Sequence, residues 1–244
     1  MKKTLSLIFI FITTNVAFAQ TNVVDTLIVS VSQKNRQDDK LVLKFPIIKT
    51  GNAKTDLLIN NDLKKKYFDY EFPDLSTKEI IRNWTNDLLV DLNFEVTYLK
   101  NDIISFHIIA ESCGAYCSNW TKYFTYNLKT GNQMFINDFF LLNEVFVMQI
   151  MSDKNHQFEL QTTELKEIWL DKNSGIDKST YDWALNQYEG CKNDFEINSF
   201  VLFPDHLEII LDCSLPNAIK NLTPIIEMKY NYKEIEKFMK MKLN

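Results

Sequence analysis

The sequence predicts an α+β fold, with antiparallel hairpins in an N-terminal and central set and again in a C-terminal set, and helices inserted between them. Three observations carry that prediction. Apolar residues alternate with a period of two over residues 92–128 and again over 195–230, whereas residues 138–190 carry helical spacing and capping residues. Successive strands are joined by short turn sequences, so the regular strand–helix alternation of a doubly wound parallel sheet is absent. No Gly/Pro/Ser-rich linker, repeat or low-complexity tract divides the 244 residues, which hold only 5 Gly and 5 Pro; residues 20–244 are therefore expected to form a single domain.

Before that domain, Lys2 and Lys3 precede an apolar run from Leu5 to Ile12, and Ala17-Phe18-Ala19 places small residues where a signal peptidase reads. Residues 1–19 are read as a signal peptide cleaved before Gln20. The apolar run falls short of the roughly 20 residues of a membrane span, and no later stretch approaches that length. An uncleaved anchor is the alternative. Cys, the residue that follows the cleavage site in a lipoprotein, is replaced by Gln20. The mature chain is expected to be periplasmic or secreted, with no integral membrane segment.

Val23–Val31 and Leu41–Ile48 read as the first strands, with the polar turn Gln33–Lys40 between them and Pro46 marking the second as an edge. A helix is expected over Thr55–Phe68 on Leu57, Leu58, Leu63 and Tyr67. Ser76 and Glu79 have capping-box spacing for a second, carrying Ile80, Ile81, Trp84, Leu88 and Leu89 as one stripe. Leu92–Leu99 is the next strand, with Phe94, Val96 and Tyr98 alternating, and Asn101-Asp102 is its turn.

The stretch Ile103–Phe140 follows as strand, cysteine-bearing loop, strand, tight turn and helix entry. Ile104, Phe106, Ile108 and Ala110 share one face of its first arm, and Ser105, His107 and Glu111 the other, polar one. Phe124, Tyr126 and Leu128 align on the return arm. Lys129-Thr130-Gly131-Asn132 turns the chain into Met134–Ile136. Asn137-Asp138 is read as the cap of a helix carrying Phe140, Val145, Met148 and Met151 or a nearby register. A second helix spans about Gln157–Leu170 on Leu165, Ile168 and Trp169, and a third is capped by Ser179 and stopped by Gly190. Strands on Phe195, Ile197, Val201 and Phe203, on Leu207, Ile209, Leu211 and Cys213, and over Thr223–Tyr230 close the fold. A short helix capped by Asn231 and Glu234 ends it.

Chemistry is sparse. Removal of the signal takes Lys2 and Lys3 with it and moves the formal charge from −5 to −7, which argues against a nucleic-acid partner and permits a basic one. Four cysteines in an exported chain point to disulfides, and of the three connectivities Cys113–Cys117 with Cys191–Cys213 is favoured, a local staple plus a clasp on a hairpin region. C-x-x-x-C spacing without a following helix disfavours a redox site, and no second Cys or His pair completes a zinc site. The run Asp171–Asp182 imitates a calcium loop, but Ile176 stands where glycine is needed and Asp182 where glutamate is. His107, His156 and His206 are read as surface or hydrogen-bonded residues, with no His or acid neighbour at a ligand or relay spacing. No cofactor or metal is expected, and no catalytic residue is assigned.

Gly114-Ala115-Tyr116, Tyr123-Phe124-Thr125-Tyr126-Asn127-Leu128-Lys129-Thr130-Gly131 and Asp138-Phe139-Phe140 together resemble the core motif of the RsiV-like extracytoplasmic domain family, DUF3298. The stretch Phe195–Phe238 is similar to the end of that domain, and Pro46 with Leu57–Leu63 to its usual N-terminal partner segment. The resemblance implies an exported binding or sensing module of the cell envelope, for a peptidoglycan fragment or a protein ligand such as lysozyme. No sigma-binding segment and no deacetylase-type histidine site accompany it, and Cys113 stands where the family loop carries a second glycine. The candidate ligand site is the tip: Tyr116, Asn119, Trp120 and Tyr123, aromatics on a rigid loop that can stack on sugars or anchor a partner. The alternative for Trp120 and Tyr123 is packing beneath the loop. The competing functions are an envelope glycan hydrolase using carboxylates such as Glu111 and Asp138, and a structural interaction protein.

Overall fold

The computed structural model describes residues 23–32, 40–68, 74–86 and 88–243; the signal segment, its cleavage position and the turn Gln33–Asp39 lie outside the described residues. The architecture is α+β. Strands β1 (Val24–Ser32) and β2 (Lys40–Ile48) form an antiparallel pair, followed by helices α1 (Ala53–Tyr67) and α2 (Thr77–Asn86). Strands β3 (Leu89–Lys100), β4 (Ile103–Cys113) and β5 (Cys117–Asn127) make a second antiparallel sheet in chain order. Helices α3 (Ile136–Phe139), α4 (Glu144–Leu170) and α5 (Lys178–Asn193) follow, and β6 (Phe200–Leu202), β7 (His206–Asp212) and β8 (Ile225–Asn231) form the third sheet, again antiparallel.

Local chemistry sets the helix starts. Asn52 caps α1 by accepting from the Lys54 and Thr55 amides, and Ser76 and Glu79 bond reciprocally at the start of α2, as their spacing predicts. Helix α4 is one 27-residue helix where two were expected, because Asn143 caps it and nothing from Glu144 to Leu170 is Gly or Pro. Asp138 instead closes the short α3 by accepting from the Phe135 amide. The cap of α5 is Asp177, which accepts from the Thr180 amide, in place of Ser179. Gly190 does not stop that helix. It takes no left-handed backbone, and α5 continues to Asn193, which carries Cys191 to its partner Cys213. The turn Asn101-Asp102 does form, both residues at positive φ, and of the Asp171–Asp182 run residues 171–177 are a loop in which Asp171 and Asp177 cap backbone amides, while Asp182 lies in α5 paired with Lys178.

Three apolar cores result. The first lies between β1–β2, α1, α2 and one face of the second sheet; the second gathers Tyr98, Phe139, Phe146 and Phe238 with the inner face of the third sheet; the third joins α4, α5 and the far ends of β7 and β8. The helix registers differ from those expected. Thr55, Ile59, Leu63 and Tyr67 are the buried stripe of α1, while Leu57 and Leu58 are exposed; on α4 Phe146, Ile150, Lys154 and Phe158 are buried, and Val145 and Met148 point to solvent. Leu88 and Leu89 leave the α2 stripe, since α2 ends at Asn86, Leu88 turns at φ 73° and Leu89 starts β3. Met134–Ile136 is not a strand: Gln133 makes a lone bridge to Tyr126, and Ile136 opens α3.

The second sheet positions everything that follows. Ile104, Phe106, Ile108 and Ala110 enter the first core as expected, but the opposite, polar face of β4 is covered as well, by the third sheet: Ser105 is fully buried and His107 half-buried. A bulge at Thr97 makes this possible. Val96 pairs with Phe106 and Tyr98 with Ser105, so the extra residue turns Tyr98 away from Phe94 and Val96 and into the second core.

Candidate functional site

The hairpin tip is held from three sides. Cys113 and Cys117 face each other across the β4–β5 ladder and are bonded through sulfur, closing the Gly114-Ala115-Tyr116 loop. The Cys113 amide donates to the Leu88 carbonyl at 2.9 Å, and the Lys220 ammonium donates to the Cys117 carbonyl at 2.8 Å. The second disulfide, Cys191–Cys213, ties the end of α5 to the chain leaving β7. Both pairings are those favoured from spacing. Glu111 converges with Cys113 and Cys117, but both sulfurs are engaged with each other, and a single carboxylate is not a metal site.

Of the four tip candidates, Asn119, Trp120 and Tyr123 line one groove, and Tyr116 is not among its lining residues. Strand alternation sends Trp120 with Phe124 and Tyr126 to the first core, and Asn119 with Thr121 and Tyr123 to the opposite face. Trp120 is half-buried, its ring edge-on to Trp84 with centroids 6.2 Å apart. Trp120 therefore packs on the first core and also lines the groove between the sheets. Tyr116 is 65% exposed at the apex.

Asn119, Trp120 and Tyr123 border a groove between the second and third sheets. Its volume is about 240 Å³, and across it stand Ile210 and Asp212 of β7 and Ile225 and Glu227 of β8. Those four share one face because Asp212 pairs with Ile225 and Ile210 with Glu227. The Tyr123 ring lies edge-on to His107 at 6.1 Å. Burial pushes the Tyr123 hydroxyl up to about 12, with the charges of Asp212, Glu227 and Glu208 adding in the same direction. Burial also raises Asp212, against the pull of Lys220. His107 is lowered by burial, opposed by Glu95 at 3.7 Å and by Glu208.

At the other end of β7 from Asp212, His206 bridges two carboxylates, Nδ1 to Asp205 at 2.5 Å and Nε2 to Glu208 at 3.0 Å, with its ring stacked on Phe203 at 4.4 Å. The bond from His206 holds the Asp205 carboxyl below the usual range. His206 thus does have acidic partners, and they are adjacent in sequence in Asp205-His206-Leu207-Glu208; the signal was present as a residue flanked at i−1 and i+2. Asp212 and Glu227 had no such signal, since only strand pairing brings them to Tyr123. The two carboxylates named for hydrolysis are not brought together. Glu111 pairs across from Asn119 near the tip, while Asp138 caps α3 beside the second core.

Among the described residues no helix is long and apolar enough to cross a membrane, and the two disulfides are consistent with an extracellular location. No protein-family model matches the sequence, and no curated protein matches it. Solved structures do match its fold. A member of the DUF3298 family from Bacteroides fragilis NCTC 9343 superposes with a TM-score of 0.53 at 13% identity, over 89% of this chain and 93% of that one. A DUF3298 family protein from Pseudomonas aeruginosa PAO1 gives 0.51 at 10% identity, over 90% and 95% of the two chains. The chain therefore has the fold of DUF3298 proteins, the fold its hairpin motif resembles; the RsiV-like label finds no counterpart in these matches.

Proposed function

We propose that this chain is an exported, non-catalytic binding module of the cell envelope, and that its ligand seats in the groove between β5 and the β7–β8 pair. One observation carries the reading: a rigid hairpin presents Asn119 and Tyr123 across an open groove from Asp212 and Glu227. An aromatic ring with carboxylates opposite suits an apolar stem ending in a cation, the chemistry of a lysine or arginine side chain. That favours a basic protein ligand, of which lysozyme is an example, over a neutral glycan. Trp120 supports the groove wall by packing on Trp84, and Tyr116 is exposed at the apex of the hairpin.

Titration of the mature protein with lysozyme and with soluble peptidoglycan fragments tests this. Lysozyme binding weakened at least tenfold by Tyr123→Ala and by Asp212→Asn is the expected result. Binding of neither probe, or binding unchanged in both variants, would remove the groove as the site. Binding of the fragments alone would replace the protein ligand with a glycan one.

A hydrolase reading also has a specific observation behind it. Asp212 and Glu227 lie diagonally on adjacent strands, a spacing of roughly 7–8 Å between backbones, and Asp212 is shifted toward its protonated form. Release of reducing ends from peptidoglycan by the parent chain, abolished in Asp212→Asn, would establish that activity in place of simple binding.

A further inference from the structure

The C-terminal segment concentrates positive charge on an acidic protein. Four lysines, Lys233, Lys237, Lys240 and Lys242, fall within the last dozen residues of a chain whose formal charge is −5. Three of them, Lys233, Lys240 and Lys242, line a cavity of about 850 Å³ whose wall, among the described residues, carries one carboxylate, Glu236. This cavity shares no lining residue with the β5/β7–β8 groove. None of the three forms an ion pair among the described residues.

The segment that carries these lysines is fastened to the fold. Leu243 is fully buried and its carbonyl accepts the Tyr98 hydroxyl at 2.6 Å; the Lys242 carbonyl accepts from the Asn101 side chain at 3.3 Å. The Lys240 amide donates to the Phe139 carbonyl at 2.7 Å, and its ammonium to the Asn137 carbonyl at 2.5 Å. Between those anchors exposure alternates, Met239, Met241 and Leu243 turned inward and Lys240 and Lys242 outward. Both lysines line the same cavity. Lys233, on the turn after β8, supplies the opposite wall. Like charges are thus fixed around one cavity on backbone that is already ordered, which lowers the entropy lost when a counter-charge binds.

We propose that this cavity is an oxyanion site, separate from the groove, which takes a ligand bearing two or more phosphate or carboxylate groups and neutralises Lys233, Lys240 and Lys242 together. Lys240 is oriented by Asn137, while Lys233 and Lys242 supply the adjustable contacts.

The test titrates the mature protein with tripolyphosphate and, separately, with tri-galacturonate at low and at physiological salt, following amide shifts and heat. Saturable binding that weakens several-fold with added salt is expected, with shifts centred on residues 233–242. Preference for one probe identifies phosphate or carboxylate as the source of the oxyanion, and equal binding makes the site general for both. Lys233→Gln with Lys242→Gln should weaken binding at least tenfold, and Lys233→Arg with Lys242→Arg should restore it. Both lysines are exposed, so an unchanged melting temperature certifies the fold of these variants. Absence of saturable binding, shifts centred elsewhere, or affinity indifferent to the Gln pair would overturn the proposal.

Discussion

Replacing Ser105 by Ala should cost more stability than its small volume suggests, because one hydroxyl joins two sheets that share no backbone ladder. Strand β6 pairs with β7 on one side only, and the Phe203 amide to His206 carbonyl bond fixes the phase of that pairing. The Leu202 amide consequently points away from β7, into the interface with β4. There it donates to Ser105 Oγ at 3.1 Å, and Ser105 Oγ lies 2.9 Å from Thr125 Oγ1. All three residues are buried. Ser105→Ala strands a buried amide, at about 1–3 kcal/mol, and removes one net hydrogen bond to Thr125, at about 1 kcal/mol, so a loss of about 2–4 kcal/mol is expected. Against a total of roughly 5–15 kcal/mol that is a large fraction. Thr125→Val leaves the Leu202 bond intact and should cost about 1 kcal/mol. Urea unfolding of the two single variants and the double variant measures both values and their coupling. A Ser105→Ala loss below about 0.5 kcal/mol, or a Thr125→Val loss as large as that of Ser105→Ala, would refute the argument that the hydroxyl carries the sheet-to-sheet contact.

The remaining predictions concern charge, covalent closure and one turn. Because burial lowers the folded pKa of His107, the unfolded chain binds the extra proton first as pH falls; its contribution is full above about 6.5, the ordinary His value, and is lost below it. His107→Gln should therefore flatten the stability slope below about pH 6.5, and an unchanged slope would assign the acid sensitivity to the carboxylates. Removing Cys191–Cys213, with a sequence separation of 22, should cost about 3 kcal/mol, and removing Cys113–Cys117, with a separation of 4, about 2 kcal/mol, measured by urea unfolding of paired Cys→Ala variants. The reverse ranking would show that the tip staple supports the groove beyond closing its own loop. Gly131 sits at φ +78°, and a methyl group added to it would stand only 3.1 Å from Leu58 Cβ and 3.3 Å from the Thr55 carbonyl oxygen, whereas Gly175, at φ +70°, has nothing within 4 Å of that position. Gly131→Ala should thus lower the melting temperature by several degrees more than Gly175→Ala, since only the former adds crowding on α1 to the cost of left-handed backbone.

Much of the architecture is legible in the sequence because it rests on local signals. Alternation locates β3, β4, β5, β7 and β8, and turn and cap residues such as Asn101-Asp102 and Ser76 with Glu79 form as their spacing predicts. What fails depends on which of two apolar faces a tertiary partner chooses. On α1 Leu57 and Leu58 compete with Ile59 and Leu63, and on α4 Val145 and Met148 compete with Phe146 and Ile150; the losing pairs remain exposed. Ser105 and His107 read as solvated because they are polar, yet the third sheet, contributed by residues about a hundred positions later, covers them. No window of sequence contains that fact.

The candidate site is half legible for the same reason. Residues 116–123 read as one aromatic tip, but a strand delivers its side chains alternately, so neighbouring members of the motif face different partners. Trp120 and Tyr123, an odd number of positions apart, must part company once β5 pairs fully with β4, Ala110 opposite Trp120 and His107 opposite Tyr123. The pairing sends Trp120 to Trp84 and Tyr123 to the carboxylates of β7 and β8. The two halves then have separable phenotypes. Trp120→Ala removes packing from the first core and should lower stability by about 3 kcal/mol with only a small loss of affinity at temperatures where the variant is folded; Tyr123→Ala should do less to stability and more to affinity. Equal loss of affinity in both variants, with the fold certified by circular dichroism, would mean that the tip binds as one surface and that the β5 alternation is not what divides its roles.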